Sequence, residues 1–360
     1  MISTKRKFIA SLILSAATLP AMAAEPLHFS MTYLGRFVPS GMNNLGQVVG
    51  RGNNPSSIEA VLHDGSSMKF LGSPSGFSMA YGINDAGQIV GQYGLNQAFS
   101  YSGGTFTDIG PTRSTATEIN NAGQIIGTDQ IGGWDSNGFV YANGALTRLT
   151  PPGAKGSVAL ALNNNGQVAG FTYDKLMPGA VIFENGGVTD LSGSMPPAEH
   201  SESRAVDIND NGQALITRRT YFDVSERSYF YDKGVATDLG QLGDARVFAH
   251  ALNNAGLVIG TTGAREGFLW QDGVMYDLNK LVTGLDGWSI QDAIAINENN
   301  QIAAYACRGF SPGSGGGECG TLLLSAVAAV PEPSTYAMVV GGLGLVAFAA
   351  RRRRRTLAEV

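Results

Sequence analysis

Two carboxylates, Glu118 and Asp207, stand at equivalent places in two copies of a repeated strand pattern. Carboxyl groups that face one cavity can act as general acid and base, or hold a sugar through its hydroxyls. They stand two repeats apart, so the sequence leaves their separation open, and solvated carboxylates in a water-filled channel are the alternative. His250 follows Ala249 in a third copy and either lines the same channel or packs between repeats. The remaining histidines, His28, His63 and His200, lie in other repeats without metal-ligand spacing. Asp207-Ile208-Asn209-Asp210-Asn211-Gly212 opens like a calcium loop, but its twelfth position is Arg218 where a bidentate Glu is required. Gly72-Ser73-Pro74-Ser75-Gly76 carries Pro where a nucleophile elbow needs Ser, and no phosphate-binding Gly-Lys-Ser/Thr loop occurs. No catalytic set, metal or cofactor is therefore expected. Glu118, Asp207 and His250 remain as candidate channel ligand residues.

The pattern that carries these residues occurs seven times. It reads apolar, Asn, two variable residues, usually Gly, usually Gln, then an apolar pair, with the Asn at positions 43, 84, 120, 163, 209, 253 and 297. A period of about 40 residues built from short strands is the signature of a repeat array. The second copy shows the content. Ala80-Tyr81-Gly82-Ile83-Asn84 reads as a strand, Asp85-Ala86-Gly87 as a turn, and Gln88-Ile89-Val90-Gly91 as the return. Ala98–Tyr101 and Thr105–Gly110 form a second hairpin around Ser102-Gly103-Gly104. Asn-Gly, Asp-Gly and Lys-Gly pairs recur at that second turn because tight hairpins need positive φ. In the seventh copy Asn300 replaces the usual Gly of the first turn. Alanine stands four residues before the Asn in all copies but the first, where it is Pro39, which suits strands crowded about an axis.

The expected architecture is an all-β, seven-bladed propeller of four-stranded blades over residues 27–327. A parallel β-helix is the rival, and it would want shorter coils and fewer sharp hairpins. The seventh copy lacks a fourth strand of its own. Residues 29–35, Phe29 to Gly35, match the missing ending, so an N-terminal strand is expected to close the ring.

The repeats resemble the HAF family of extracellular repeats. Gln97-Ala98-Phe99, Gly267-Phe268-Leu269-Trp270, the Asn-x-x-Gly-Gln core and Thr237-Asp238-Leu239-Gly240 carry the likeness over about residues 29–325. The family's His is missing throughout, and the resemblance implies no catalytic residues.

The ends of the chain carry addresses. Lys5-Arg6-Lys7, the apolar stretch Phe8–Leu19 and Ala21-Met22-Ala23 read as a signal peptide over residues 1–23. At the other end, Pro331-Glu332-Pro333 precedes an apolar run and five arginines, Arg351 to Arg355. A transmembrane helix is expected over 334–350, with the arginines held in the cytoplasm. Residues 330–355 resemble the PEP-CTERM sorting signal of Gram-negative bacteria, with Pro331, Glu332 and Pro333 as its motif. The resemblance implies recognition and cleavage by an exosortase, and association with exopolysaccharide and biofilm matrix.

Removing both ends takes eight of 24 basic residues and two of 29 acidic ones, which leaves a net charge of about −11. Such a surface repels phosphate backbones, so no nucleic-acid partner is expected. Cys307 and Cys319 are the two cysteines, and the exported context predicts that they pair. The leading functional reading is an exported, non-enzymatic surface or matrix protein that binds polysaccharide or protein through propeller loops. It would be anchored in the inner membrane transiently and then released to the cell surface or beyond. The alternative is a propeller hydrolase or lyase acting on extracellular glycans.

Overall fold

The computed structural model describes residues 25–132, 135–173, 177–221, 226–309 and 317–327. These residues form seven sheets, the blades of a propeller, antiparallel throughout except for one short strand in the seventh. In the second blade the strands are Ser78–Ile83, Ile89–Tyr93, Gln97–Ser102 and Thr105–Thr112, ordered from the axis outward. The other blades repeat this order, beginning at Phe37, Ser114, Gly156, Ser201, Val247 and Trp288. The innermost strands end at Met42, Ile83, Ile119, Leu162, Ile208, Leu252 and Ile296. Each repeated Asn therefore opens the turn and is not the last strand residue.

Backbone chemistry explains the hairpins. At the outer turns both residues of Asn143-Gly144, Asn185-Gly186, Lys233-Gly234 and Asp272-Gly273 have positive φ, as type I′ turns demand. A bulge interrupts every innermost strand: Ala80 faces Gly91, Gly82 faces Val90, and Tyr81 is left over. The bulge brings a carbonyl so close to the second strand that a Cβ on Gly91 would lie 2.0 Å from the Met79 oxygen.

The apolar core lies between blades. The alanines at the repeated position, Ala80, Ala116, Ala159, Ala205, Ala249 and Ala293, are all buried. Each inter-blade layer adds larger side chains from both neighbours, as Val49, Ile83, Ile89 and Phe99 do between the first two blades.

The seventh blade joins the two ends of the described chain. His28–Gly35 pairs antiparallel with Glu318–Val327, with His28 opposite Val327 and Tyr33 opposite Leu322. A further two-residue strand, Val282–Thr283, runs parallel to it and gives this sheet a fifth member. Cys307 and Cys319 face each other across the second and third strands of this blade and form a disulfide.

Residues 1–23, expected to be a signal peptide, and the apolar run at 334–350 lie outside the described residues. Among the described residues no helix is long and apolar enough to cross a membrane.

Candidate functional site

The seven repeated asparagines meet around the propeller axis. Each Nδ2 donates to the backbone carbonyl of the corresponding Asn in the next blade, at 2.9–3.2 Å. The circuit closes when Asn297 donates to the Asn43 carbonyl, 254 residues away in sequence. Every Oδ1 accepts the backbone N–H four residues on, which holds the turn of its own blade. All seven side chains are at most 5 % exposed. An amide suits the position because one atom must donate toward the next blade while a second accepts from its own turn.

In six blades Nδ2 also donates to the Gln of its own repeat, for example Asn209 to Gln213 Oε1 at 2.8 Å. The sixth blade has Leu257 in place of that Gln. Asn300 of the seventh blade supplies the missing oxygen, accepting from Asn253 Nδ2 at 2.8 Å. At four turns, those of Gly46, Gly123, Gly166 and Gly212, the glycine lies against the preceding blade's Gln: a Cβ on Gly166 would meet Gln124 Oε1 at 3.3 Å. With Leu257 there instead, the seventh blade accommodates an Asn side chain. Two departures from the repeat thus compensate one another.

A second ring surrounds the mouth of the channel. It consists of Asn44, Asp85, Asn121, Asn164, Asp210, Asn254 and Glu298, each one residue after a ring Asn. The backbone N–H of each donates to the side-chain oxygen of the next at 2.7–3.0 Å, and Glu298 closes the circle on Asn44. Burial would raise the Asp210 carboxyl, but hydrogen bonds from Asn164 and Asn254 hold it below its ordinary value. The sequence reading treated these positions as variable. The signal was present: all seven hold a carboxamide or a carboxylate, residue types able to accept from the preceding blade.

Glu118, Asp207 and His250 all line one central cavity of about 310 Å³, together with residues of both rings. Glu118 and Asp207 occupy the place two residues before the ring Asn, which in the other blades holds Gly41, Gly82, Ala161, Ala251 and Ala295. Only these two blades send a functional group into the channel from that level. Glu118 Oε2 accepts from the Leu162 N–H of the next blade at 2.6 Å. Asp207 Oδ2 accepts from the Leu252 N–H, likewise of the next blade, at 2.7 Å. His250 Nδ1 lies 3.0 Å from Asp292 Oδ1 and 3.3 Å from the Ala293 carbonyl. Burial opposes the charged imidazole, but the Asp292 carboxylate outweighs it and raises the His250 pKa.

Enclosure by protein is the main influence on both channel carboxyls. It pushes Glu118 up to about 8, with the Asp207 charge adding and the Leu162 N–H opposing. It pushes Asp207 up to about 7, against hydrogen bonds from Leu252 and Ile208 and with a smaller contribution from Glu298. An acid whose pKa is higher in the folded state binds protons more tightly there than when unfolded. Its contribution to stability is therefore complete below about pH 4 and is lost as pH rises through 7 to 8. The double variant Glu118→Gln/Asp207→Asn is expected to melt a few degrees above the parent at pH 8.5, a gain of about 1–3 kcal/mol once screening by channel water is allowed for. At pH 4 the two proteins should melt together. Thermal scans across pH 4–9 check this, and a difference that ignored pH would exclude charge burial as its cause.

Among the described residues no group of three or more His, Cys, Asp or Glu is arranged to hold a metal ion. The segment at Asp207–Gly212, read above as a failed calcium loop, serves as the turn of the fifth blade.

Comparison with known proteins adds the sorting tail and the fold. The PEP-CTERM protein-sorting motif matches residues 329–354. No curated protein matches the chain. Among solved structures, the chain is similar to YCF48 bound to D1 peptide, at 12 % identity and a TM-score of 0.54, over 85 % of this chain and 99 % of that one. It is also similar to the β-propeller domain of the Trilobed protease from Pyrococcus furiosus, at 12 % identity and a TM-score of 0.49, over 67 % and 80 % of the two chains. At such identities the likeness concerns the fold alone.

Proposed function

We propose that this chain is an exported, non-enzymatic propeller of the Gram-negative cell surface or extracellular matrix that binds polysaccharide or protein through its loops. The observation that carries the reading is a PEP-CTERM motif at 329–354 placed directly after a propeller whose last strand ends at Val327. The motif implies export and processing by an exosortase. The repeats fit the HAF type of extracellular array, and their seven asparagines are engaged in joining blades. In this reading residues 1–23 are removed on export and 334–350 anchor the protein until the exosortase acts at Pro331-Glu332-Pro333.

Protein isolated from a native host with its exosortase is expected to end near Pro333 and to begin after Ala23, as read by intact mass. Recovery of a chain that still ends at Val360 would remove the sorting claim and leave a lasting anchor. Glycan hydrolysis or elimination is the second reading, favoured by the raised carboxyl pair Glu118 and Asp207 in one cavity.

A further inference from the structure

Chain direction makes the two faces of the disc unequal. In each blade the innermost strand runs toward the Asn turn, the second runs away, the third returns and the fourth runs away again. One face therefore collects the Asn turns and the outer hairpins. The other collects the second-to-third connections and the links between blades. On the turn face every Asn turn spans the five positions from Asn to Gln or its equivalent, closed by the same backbone hydrogen bond. The loop face varies. A single residue links Thr112 to Ser114, whereas Asp190 and Ser201 are joined by a segment containing the short helix Ser192–Ser194.

Both ends of the described fold emerge on the turn face. Glu318–Val327 runs toward it, and His28 begins opposite Val327. Gln301, which closes the last Asn turn, lies 3.5 Å from Ser325 near the end of that strand. The apolar run that follows the sorting motif begins at Tyr336, nine residues beyond Val327, so the spacer reaches at most about 30 Å. Turning the loop face to the bilayer would take the spacer back along the ten-residue strand Glu318–Val327, itself about 30 Å long. That path would exhaust the reach before the apolar run entered lipid.

We propose that the anchored protein holds its Asn-turn face toward the lipid bilayer and presents its loop face outward, so that extracellular partners meet the variable loops. This rests on the anchoring role proposed above for residues 334–350. The acidic second ring then looks toward the membrane across the spacer, and the disulfide-bearing connection of the seventh blade lies on the outward side.

Two exposed leucines provide probes. Leu45 is 68 % exposed in the first Asn turn, and Leu95 is 95 % exposed between the second and third strands of the second blade. With Cys307 and Cys319 paired, Leu45→Cys or Leu95→Cys introduces a single free thiol. Full-length protein carrying a donor dye at either position is inserted into liposomes of neutral lipid containing an acceptor on the headgroup. Energy transfer is expected to be about twofold or more higher from position 45 than from position 95, since the disc thickness separates them. Equal transfer, or stronger transfer from position 95, overturns the orientation. Failure of the full-length chain to float with the liposomes overturns the anchoring reading, and the orientation with it.

Discussion

Deleting residues 28–35 is expected to abolish cooperative folding of the propeller, although the segment is one outer strand of one blade. The strand pairs with Glu318–Val327 over nearly its whole length and also with Val282–Thr283. Its side chains serve two separate parts of the core. Phe29 is fully buried in the seventh blade with Leu322, Leu324 and Ile302, whereas Leu34 packs with Phe37, Val48 and Val61 of the first blade. Tyr33 stacks on Trp288 with ring centroids 5.1 Å apart. Loss of Phe29 alone, as Phe29→Ala, should cost about 3–5 kcal/mol. Removal of the whole strand adds the paired edge and the Leu34 contacts, a total on the order of 10 kcal/mol, comparable with the full stability of a domain. It also leaves a long unpaired edge that invites aggregation. The deletion should give no cooperative transition in thermal or urea unfolding, and Phe29→Ala should shift the urea midpoint downward. A soluble monomer that melts within a few degrees of the parent would show that the ring does not depend on this closure.

Asn209→Ala is expected to cost about 3–5 kcal/mol, far more than a turn residue ordinarily carries. Asn209 is buried, donates to Gln213 Oε1 and the Asn253 carbonyl, and accepts from the N–H groups of Asn211 and Gln213. Alanine would leave the part-buried N–H groups of Asn211 and Gln213 without their acceptor, each at about 1–3 kcal/mol, partly recovered where water enters from the channel, and the Asn253 carbonyl would keep only the Gly256 N–H of its two donors. Because each link of the ring ends on a backbone carbonyl, truncating one Asn leaves the acceptor for its neighbour in place. Losses at distant blades, such as Asn43 and Asn163, should therefore add. Asn209→Asp keeps the shape but faces two acceptor oxygens without a donor. Its acid form should be favoured, so the variant should lose more stability at pH 8 than at pH 5. Urea titrations of these variants at both pH values provide the check, and a cost below about 0.5 kcal/mol for Asn209→Ala would contradict the clamping role.

The number of blades, the hairpins and the closing strand were legible in the sequence because they depend on local or repeated information. Turn geometry follows from residue types a few positions apart, as at Asn143-Gly144 and Asp272-Gly273. Seven copies of one pattern imply seven copies of one unit. The ending absent from the last copy and present near Phe29 then implies how the ring is completed. The disulfide followed from two nearby cysteines in an exported chain. The roles within the motif were not legible. The Asn of each repeat looked like a strand residue, yet it works across the interface, donating to a carbonyl in the next blade 36 to 46 residues ahead, or 254 residues back from Asn297. The chemistry of the following position, and the exchange between Leu257 and Asn300, likewise appear only when two neighbouring turns are seen side by side. Whether Glu118 and Asp207 share a cavity was also open, because their separation depends on how each bulged strand rolls about the axis. Sequence alone determined the unit, its copy number and its closure, all matters of short-range conformation and counting. Only the tertiary structure decided what the repeated residues touch, because those partners are brought together by the angle between blades, which no single repeat contains.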